Sequence, residues 1–558
     1  MESGPQRQLP TASAAPQAGT AGAAAGSGHG VSTAARPELE RAHAHKWLVA
    51  LAVMLGTVLE VLDSSIVNVS LPHMQGSFSA SIDEIAWVLT SYLVANGIMI
   101  PLTGWISARF GRKRYFLTSV FTFVVASALC GAARSLGQMV VFRLIQGAAG
   151  AAMLPSSQAI LMETFPPEEQ QMAMATWGIG LMVAPILGPT LGGWITDNWN
   201  WRWNFYINVP VGAVALVMVS AFVHDPSYLR TRRAGGHVDY LGIVLLALWL
   251  GLLQIVLDRG QRSDWFESPW VVWATIISGV AMVALIFREL NLAEPILEFR
   301  FLKIRQFASA VFAVIVLSFI LFGTGVLNPV FLQEFMGYPA WRAGIVMAPR
   351  AAGAMVSMLF AGQIARAGYD NKRLIGVSFA VMTVGLWLMS GWDLETSMAR
   401  VIRDGVVLGV GLGMCFPILS AAALSGMPRE QMGFAASLYN MTRNTGAAVG
   451  IAYLTNMLVR NQQVHQSHLV QHFSVFDAWR MSSMAPHAPG APSFNFLMQL
   501  VTGQKQGLGM VYGAIQQQSA MLAFNDIYRM LALIALLMIP SFILFRGGPK
   551  LAGGGPAH

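Results

Sequence analysis

An all-α polytopic membrane protein, two six-helix bundles with two helices set between them, is the fold this sequence predicts, on three observations. The 558-residue chain is 55% apolar with a mean hydropathy of +0.54. Only 11% of its residues are charged, against roughly 25% in an ordinary soluble domain. Apolar runs of about 20 residues, the length that crosses a hydrocarbon core, recur fourteen times. A soluble enzyme of this size needs far more charge to cover its surface, so that class is excluded. The two cysteines, Cys130 and Cys415, lie inside apolar runs and make neither a disulfide framework nor a zinc site. The net charge of +8 is assigned to basic loops rather than to nucleic-acid binding.

Residues 1–45 are rich in Ala, Gly, Ser and Pro and predict a disordered tail. They hold no apolar stretch of the signal-peptide kind. The first six runs lie near 47–70, 84–104, 114–132, 137–160, 171–193 and 203–223, giving an N-terminal bundle over 46–223. Two more, near 238–257 and 270–288, fill an inserted section over 224–300. The last six lie near 308–332, 342–365, 373–390, 400–424, 432–459 and 527–546, in a C-terminal bundle over 301–546. A long polar segment, 460–526, precedes the final run, and 547–558 form a second tail. Pro486, Pro489 and Pro492 divide the long segment, which is expected to be either a pair of short surface helices or a linker.

Lys/Arg bias sets the orientation. With the N-terminus inside, the inside segments carry twenty Lys/Arg and the short outside loops six. Both termini are therefore expected in the cytoplasm and the long segment outside.

The halves repeat. After helix 2 comes Gly104-Trp-Ile-Ser-Ala-Arg-Phe-Gly111-Arg-Lys-Arg114, and after helix 10 comes Gly362-Gln-Ile-Ala-Arg-Ala-Gly368-Tyr-Asp-Asn-Lys-Arg373. The offset of eight helices fits two six-helix halves separated by two inserted helices. Parallel repeats of this kind place a transporter's substrate site between the halves, near mid-membrane.

Charges inside spans are few, as their insertion cost of about 2.5–3.5 kcal/mol requires. They are Glu60 and Asp63 in helix 1, Arg143 in helix 4, Arg350 in helix 10, Arg403 and Asp404 in helix 12, and Arg443 in helix 13. Asp63 and Arg143 are each expected about 10 Å from the outer ends of their helices, taken as Ser70 and Leu136, at ~1.5 Å per residue. They are thus able to pair. Glu60 shares a helix face with Asp63, and two neighbouring carboxylates resist double ionisation. The pair is either a proton-coupled switch or a static lock between helices. Arg350 and Arg443 are expected to be structural. Polar and aromatic residues on the inner helices are the candidates for a substrate cavity or, equally, for ordinary packing: Asn68, Trp87, Tyr92, Asn96, Gln146, Trp177, Asn328, Phe331 and Asn440. The 31 methionines suit walls that repack around varied substrates. Gly409-Val-Gly411-Leu-Gly413 sits in an apolar helix with no preceding strand, and no Walker-type motif exists, so an ATP-driven pump is not expected.

Four stretches resemble the major facilitator superfamily and, within it, the EmrB/QacA-type fourteen-helix drug:proton antiporters. They are Leu62-Asp63-Ser-Ser-Ile-Val-Asn68-Val-Ser-Leu-Pro72, the loop Gly104–Lys113, Arg143-Leu-Ile-Gln146-Gly147-Ala-Ala-Gly150, and Pro185-Ile-Leu-Gly188-Pro189-Thr-Leu-Gly192-Gly193. The resemblance implies a major facilitator fold and export of small amphipathic molecules by alternating access. Protons are the coupling ion, and no other cofactor is implied. It gives Gly104, Arg109, Gly111, Arg112 and Lys113 the role of a gating loop. Pro185, Gly188, Pro189, Gly192 and Gly193 become an antiporter motif. The long loop before the last helix implies a periplasmic adaptor of the EmrA type, an outer-membrane channel and a bacterial inner membrane. Two positions depart from the pattern. Ala108 stands where the loop has an Asp, which leaves its basic residues to bind helix C-terminal ends instead. Ala184 stands where the helix 5 motif has its first glycine. An uptake symporter, a single-metabolite exporter and a membrane sensor or scaffold remain open from the residues alone.

Overall fold

The computed structural model describes residues 35–540 apart from 225–238, 293–294, 367–368, 426 and 473–504. The expected terminal tails, the middle of the long polar segment and the end of the last apolar run lie wholly or largely outside these residues. The chain divides into two units, Met1–His45 and Lys46–His558, and the second holds the fold.

All described secondary structure is helical. Fourteen long helices carry the fourteen apolar runs. They are α1 (Ala35–Phe78), α2 (Trp87–Phe110), α3 (Arg112–Ala132), α4 (Leu136–Thr164, with a turn at 151–152), α5 (Gln170–Asn198), α6 (Trp203–Phe222) and α7 (Tyr240–Arg259). The rest are α8 (Pro269–Asn291), α9 (Arg305–Val330), α10 (Ala340–Arg366), α11 (Asn371–Met389), α12 (Met398–Leu424), α13 (Met432–His472) and α14 (Lys505–Met538). Among the described residues, twelve are long and apolar enough to cross a membrane. The other two are α5, of 29 residues, and α13, of 41. Side chains cap several starts: Ser135, Asp239, Asp370 and Ser397 each accept an N–H from the first turn of α4, α7, α11 and α12. Gly111, at φ 93°, makes the sharp turn from α2 to α3.

Two expected boundaries are corrected. The segment 460–526 is not all loop, because α13 continues through His472 and α14 begins at Lys505. The polar residues that break the apolar pattern there face protein: His465 Nε2 lies 2.7 Å from Asp526 Oδ2, and Asn525 donates to the Trp392 carbonyl at 3.1 Å. Helix 1 likewise runs past Pro72 to Phe78. Asp63 therefore sits near the middle of the membrane-crossing segment His45–Phe78, about 22 Å from its distal end at ~1.5 Å per residue.

Helix pairing realises the repeat. In the first half α2 packs on α4, α3 on α4 and α3 on α6; in the second, α10 packs on α12, α11 on α12 and α11 on α14. Each pair maps onto its counterpart by the offset of eight. The same holds for α1 with α5, where Gly188 meets Ser65, and α9 with α13, where Gly446 meets Ile315. The face at which α1 starts is here the near face. There the halves meet through α2 with α13 and α10 with α5, a pairing that the same offset interchanges. The repeat glycines make both contacts. A methyl group on Gly104 would fall 2.7 Å from Phe434 Cα, and one on Gly362 would fall 3.3 Å from Ala175 Cβ. Gly104→Val is therefore expected to leave each bundle folded but to stop transport, since it wedges the near-face contact apart. Gly147→Val is expected to fail in folding, because its Cβ would collide with the Tyr92 carbonyl oxygen inside one bundle. Thermal melting in detergent and vesicle transport of the two variants check this contrast.

The inserted helices α7 and α8 pack on each other, and α7 lies against α2 and α13. At their near-face ends Arg288 grips Asp239 in a 2.9 Å ion pair. The Arg288 hydrogen bonds hold the Asp239 carboxyl below the usual aspartate range, outweighing its partial burial, with help from the Gly242 amide. A lowered native pKa contributes stability that is present above the unfolded value of about 3.9 and is lost as pH falls through the native value. Asp239→Asn keeps the helix cap and removes the charge. Its melting difference from wild type is expected to be constant from about pH 8 to pH 5 and to shrink below about pH 4. A series of melts across that range checks it.

Candidate functional site

Helix 1 presents both carboxylates inward. Asp63 and Arg143 are each 0% exposed, so the charge of either must be met inside the protein. Arg143 Nη1 donates to Asp63 Oδ2 at 2.7 Å. Asp63 Oδ1 accepts from Gln146 Nε2 at 2.9 Å and from Asn208 Nδ2 at 2.7 Å. Arg143 also donates to Gln146 Oε1 at 2.7 Å and to the Val88 carbonyl at 3.1 Å, and lies 4.1 Å from the Tyr92 ring centroid. One guanidinium thus ties α1, α2 and α4 together, and Asn208 adds α6. Both Asp63 oxygens are satisfied, the condition under which a buried charge pair is tolerated.

Glu60, one turn away, differs. It is buried, its Oε1 accepts from Asn96 Nδ2 at 3.0 Å, and its Oε2 has no hydrogen-bond partner among the described residues. Arg443, a cation, and Asp63, a like charge, are within electrostatic range of it. Arg443 belongs to α13, in the other half. The Tyr92 hydroxyl, Arg443 Nε and the Tyr439 hydroxyl are also buried without a partner. Buried polar atoms are normally paired, and these atoms are among the exceptions within the described residues. The matching helix α9 carries no charged residue from Ala308 to Val330, so the two first helices of the repeat differ in this respect.

Of the remaining cavity candidates, Tyr92, Asn96 and Gln146 belong to this cluster. Trp177 and Asn440 lie on the seam: the Trp177 ring stacks on Phe416 at 5.9 Å, and Asn440 Nδ2 donates to Gln158 Oε1 at 2.6 Å. Asn328 and Phe331 are placed elsewhere, in an aromatic core with Trp392, Phe524 and Tyr528, where Tyr528 donates to Asn328 Oδ1 at 2.5 Å. Asn68 is exposed and, among the described residues, bonds its own helix at the Ser64 carbonyl. Trp87 is 37% exposed beneath the Arg259 guanidinium. Arg350 donates to Thr324 at 2.7 Å, and Arg403 grips buried Asp404 at 2.8 Å.

In the loop, Arg112 pairs with Glu163 at the end of α4 at 2.6 Å, and Lys113 Nζ donates to the Ser220 carbonyl in the last turn of α6 at 2.6 Å. A basic residue on a helix C-terminus was the expectation for a loop with Ala108 in place of Asp. Arg109 lies over Trp105, 5.6 Å from its ring centroid. In α5, Gly188 and Gly192 admit α1: a methyl group on the first would collide with Ser65 Cβ, and one on the second would fall 3.1 Å from Ile66 Cγ2. Gly193 is looser, at 3.8 Å from Val69. Pro185 and Pro189 lie within α5, and their side chains are outside the described residues. Sequence reasoning missed Asn208 and Glu163. Asn208 looks like an ordinary helix-start asparagine, and Glu163 like a loop charge.

Two repeated bundles that meet at a seam, with a buried ion pair tying the inner helices of the first, are the architecture of a membrane transporter. The profile described as Major Facilitator Superfamily matches residues 53–451, and the chain belongs to that superfamily, as a transporter of the EmrB type. It is 34% identical to "Multidrug export protein EmrB" of Haemophilus influenzae over 507 residues, covering 88% of this chain and 94% of that one. It is 31% identical to "Fatty acid resistance protein FarB" of Neisseria gonorrhoeae over 514 residues, covering 91% and 97%. Its fold resembles the human organic anion transporter MFSD10, with a TM-score of 0.57 at 15% identity over 90% of this chain and 99% of that one.

Proposed function

We propose that the protein is a proton-coupled exporter of amphipathic drugs or lipid-like metabolites, a drug:H⁺ antiporter working by alternating access in a bacterial inner membrane. The observation that carries this is Glu60, a buried carboxylate with one oxygen unpartnered among the described residues, held by Asn96 of its own half and within electrostatic range of Arg443 of the other. In this reading Glu60 takes and releases the proton. With a proton on Glu60, Arg443 loses its counter-charge and the seam loosens. With Glu60 ionised, the two halves attract. Asp63 and Arg143 are the fixed centre that holds α1, α2, α4 and α6 as one body while the seam moves. The Lys/Arg bias supports a cytoplasmic near face, and on this reading the halves are closed toward the cytoplasm through Gly104 and Gly362. The names of the relatives, a multidrug exporter and a fatty acid resistance protein, support amphipathic cargo. The far-face extensions of α13 and α14 support docking of a periplasmic adaptor of the EmrA type, leading to an outer-membrane channel.

The energy suffices. One charge moved through 100 mV yields ~2.3 kcal/mol, enough for roughly a fifty-fold gradient at ~1.4 kcal/mol per decade. Inverted vesicles with an imposed proton gradient test the reading. Added amphipathic dye should dissipate the gradient as it is taken up into the lumen. Dye accumulation that ignores an uncoupler would overturn the coupling, and dye moving in the same direction as protons would make the protein a symporter.

A further inference from the structure

The near-face contacts between the halves described above are apolar: Gly104 meets Phe434, Gly362 meets Ala175, and Trp177 stacks on Phe416. One further contact is of another kind. Asn440 Nδ2 of α13 donates to Gln158 Oε1 of α4 at 2.6 Å, and both side chains are 0% exposed. The two residues lie about 9 and 12 Å from the near-face ends of their helices, Thr164 for Gln158 and Met432 for Asn440, at ~1.5 Å per residue. Each is held in place by its own half. Next to Gln158, Ser157 Oγ accepts from Thr57 of α1 at 3.0 Å and from Trp177 Nε1 of α5 at 2.9 Å, which fixes this stretch of α4. Asn440 Nδ2 also donates to the Ala436 carbonyl of its own helix at 2.9 Å. Gln158 Nε2 and Asn440 Oδ1 are buried with no hydrogen-bond partner among the described residues. Among those residues, the Gln158 amide is therefore bonded through the seam alone.

We propose that Gln158 and Asn440 form a water-exchangeable latch, a pair that closes the near-face seam and is balanced so that the seam reopens within each cycle. The inference rests on the alternating-access reading and is independent of which group carries the proton. A buried amide–amide bond nets little, because water takes over both groups when the halves part. Two apolar side chains in the same place would pack together when the seam is closed and meet water when it opens, so they would hold it shut. A single amide facing an apolar partner would do the reverse. It is unpaired while the seam is closed and finds water once the seam is open. Gln158 and Asn440 are thus positioning residues for the transport cycle, and the sign of the effect depends on whether one amide or both are removed. A pair that merely glued the halves together would show no such reversal, since losing both amides would open the seam at least as much as losing one.

The test is single-molecule energy transfer on the full chain in lipid nanodiscs, with and without ethidium. Dyes go on Arg114→Cys of α3 and Tyr369→Cys before α11, exposed near-face positions in the two halves. The native Cys130 and Cys415 are buried, out of reach of a polar maleimide. Wild-type protein should show a short and a long distance, for the closed and the open seam. Gln158→Leu and Asn440→Leu should each raise the open-to-closed ratio at least fivefold. The double variant Gln158→Leu/Asn440→Leu should lower that ratio at least threefold below wild type. The exchange Gln158→Asn/Asn440→Gln, which keeps an amide on each side, should stay within twofold of wild type. Should the single variants fail to fold, the double and the exchanged variants still decide. A double variant as open as wild type or more so would overturn the latch, as would an exchanged variant that behaves like the double. A wild-type protein with one distance under all conditions would overturn alternating access and the latch with it. Two distances whose ratio ignores every substitution would overturn the latch alone.

Discussion

Arg143→Ala is expected to be the most damaging single substitution in the protein. It removes three hydrogen bonds and leaves Asp63, fully buried, facing only the neutral donors of Gln146 and Asn208. Breaking a buried pair by removing one partner costs about 3–5 kcal/mol, most of it the penalty of an uncompensated charge. That is a large part of the stability margin of a typical fold. The variant should melt far below wild type or fail to accumulate in the membrane. The double variant Asp63→Asn/Arg143→Gln removes both charges while keeping hydrogen-bonding groups on α1 and α4, so it should recover much of the lost stability. Fluorescence-detected melting of the single and double variants in detergent checks both statements. Equal destabilisation by the two would mean that charge burial is not what the pair manages.

Glu60→Gln should have the opposite signature. The substituted amide retains the oxygen that accepts from Asn96, and the change removes a carboxylate that has no other hydrogen bond, so melting should stay close to wild type. Proton-driven export should fall at least tenfold, and what remains should lose its dependence on external pH. Asp63→Asn also stops transport in this account, but with a clear loss of stability, since Arg143 is then buried unpaired. Comparing melting with transport across Glu60→Gln and Asp63→Asn separates the carrier of the proton from the fixed centre of the bundle. If Asp63→Asn proved stable and uncoupled while Glu60→Gln transported normally, the two roles would be exchanged.

The helices and their repeat were legible because a hydrocarbon core demands apolar runs of set length, and because the glycines of the loop motif mark matched positions in both halves. Gly104 and Gly362 turned out to make the same contact in the two halves. The Asp63–Arg143 pair was legible because an in-span charge needs a partner. Its depth was not, since helix 1 carries on past Pro72, where local pattern signals an end. The different settings of Glu60 and Asp63, on which the proposed division of labour rests, were also hidden. Asn208 reaches Asp63 and Asn96 reaches Glu60 from helices distant in sequence, and nothing local distinguishes one carboxylate from the other. Phe331 and Asn328 looked like cavity residues because an aromatic or an amide on an inner helix fits a cavity and a core equally well. Only the packing of Trp392, Phe524 and Tyr528 around them decides for the core. The far-face stretches of α13 and α14 were missed for a related reason: polar residues that face protein break the apolar pattern without breaking the helix.

The central claim is that Glu60 exchanges its proton for cargo. It is tested most directly by recording proton release from purified protein in weakly buffered detergent when an amphipathic dye such as ethidium is added, with a pH indicator as the readout. Wild-type protein should release protons in proportion to the dye bound, and Glu60→Gln should bind the dye without releasing any. Release from Glu60→Gln equal to that of wild type would contradict the account.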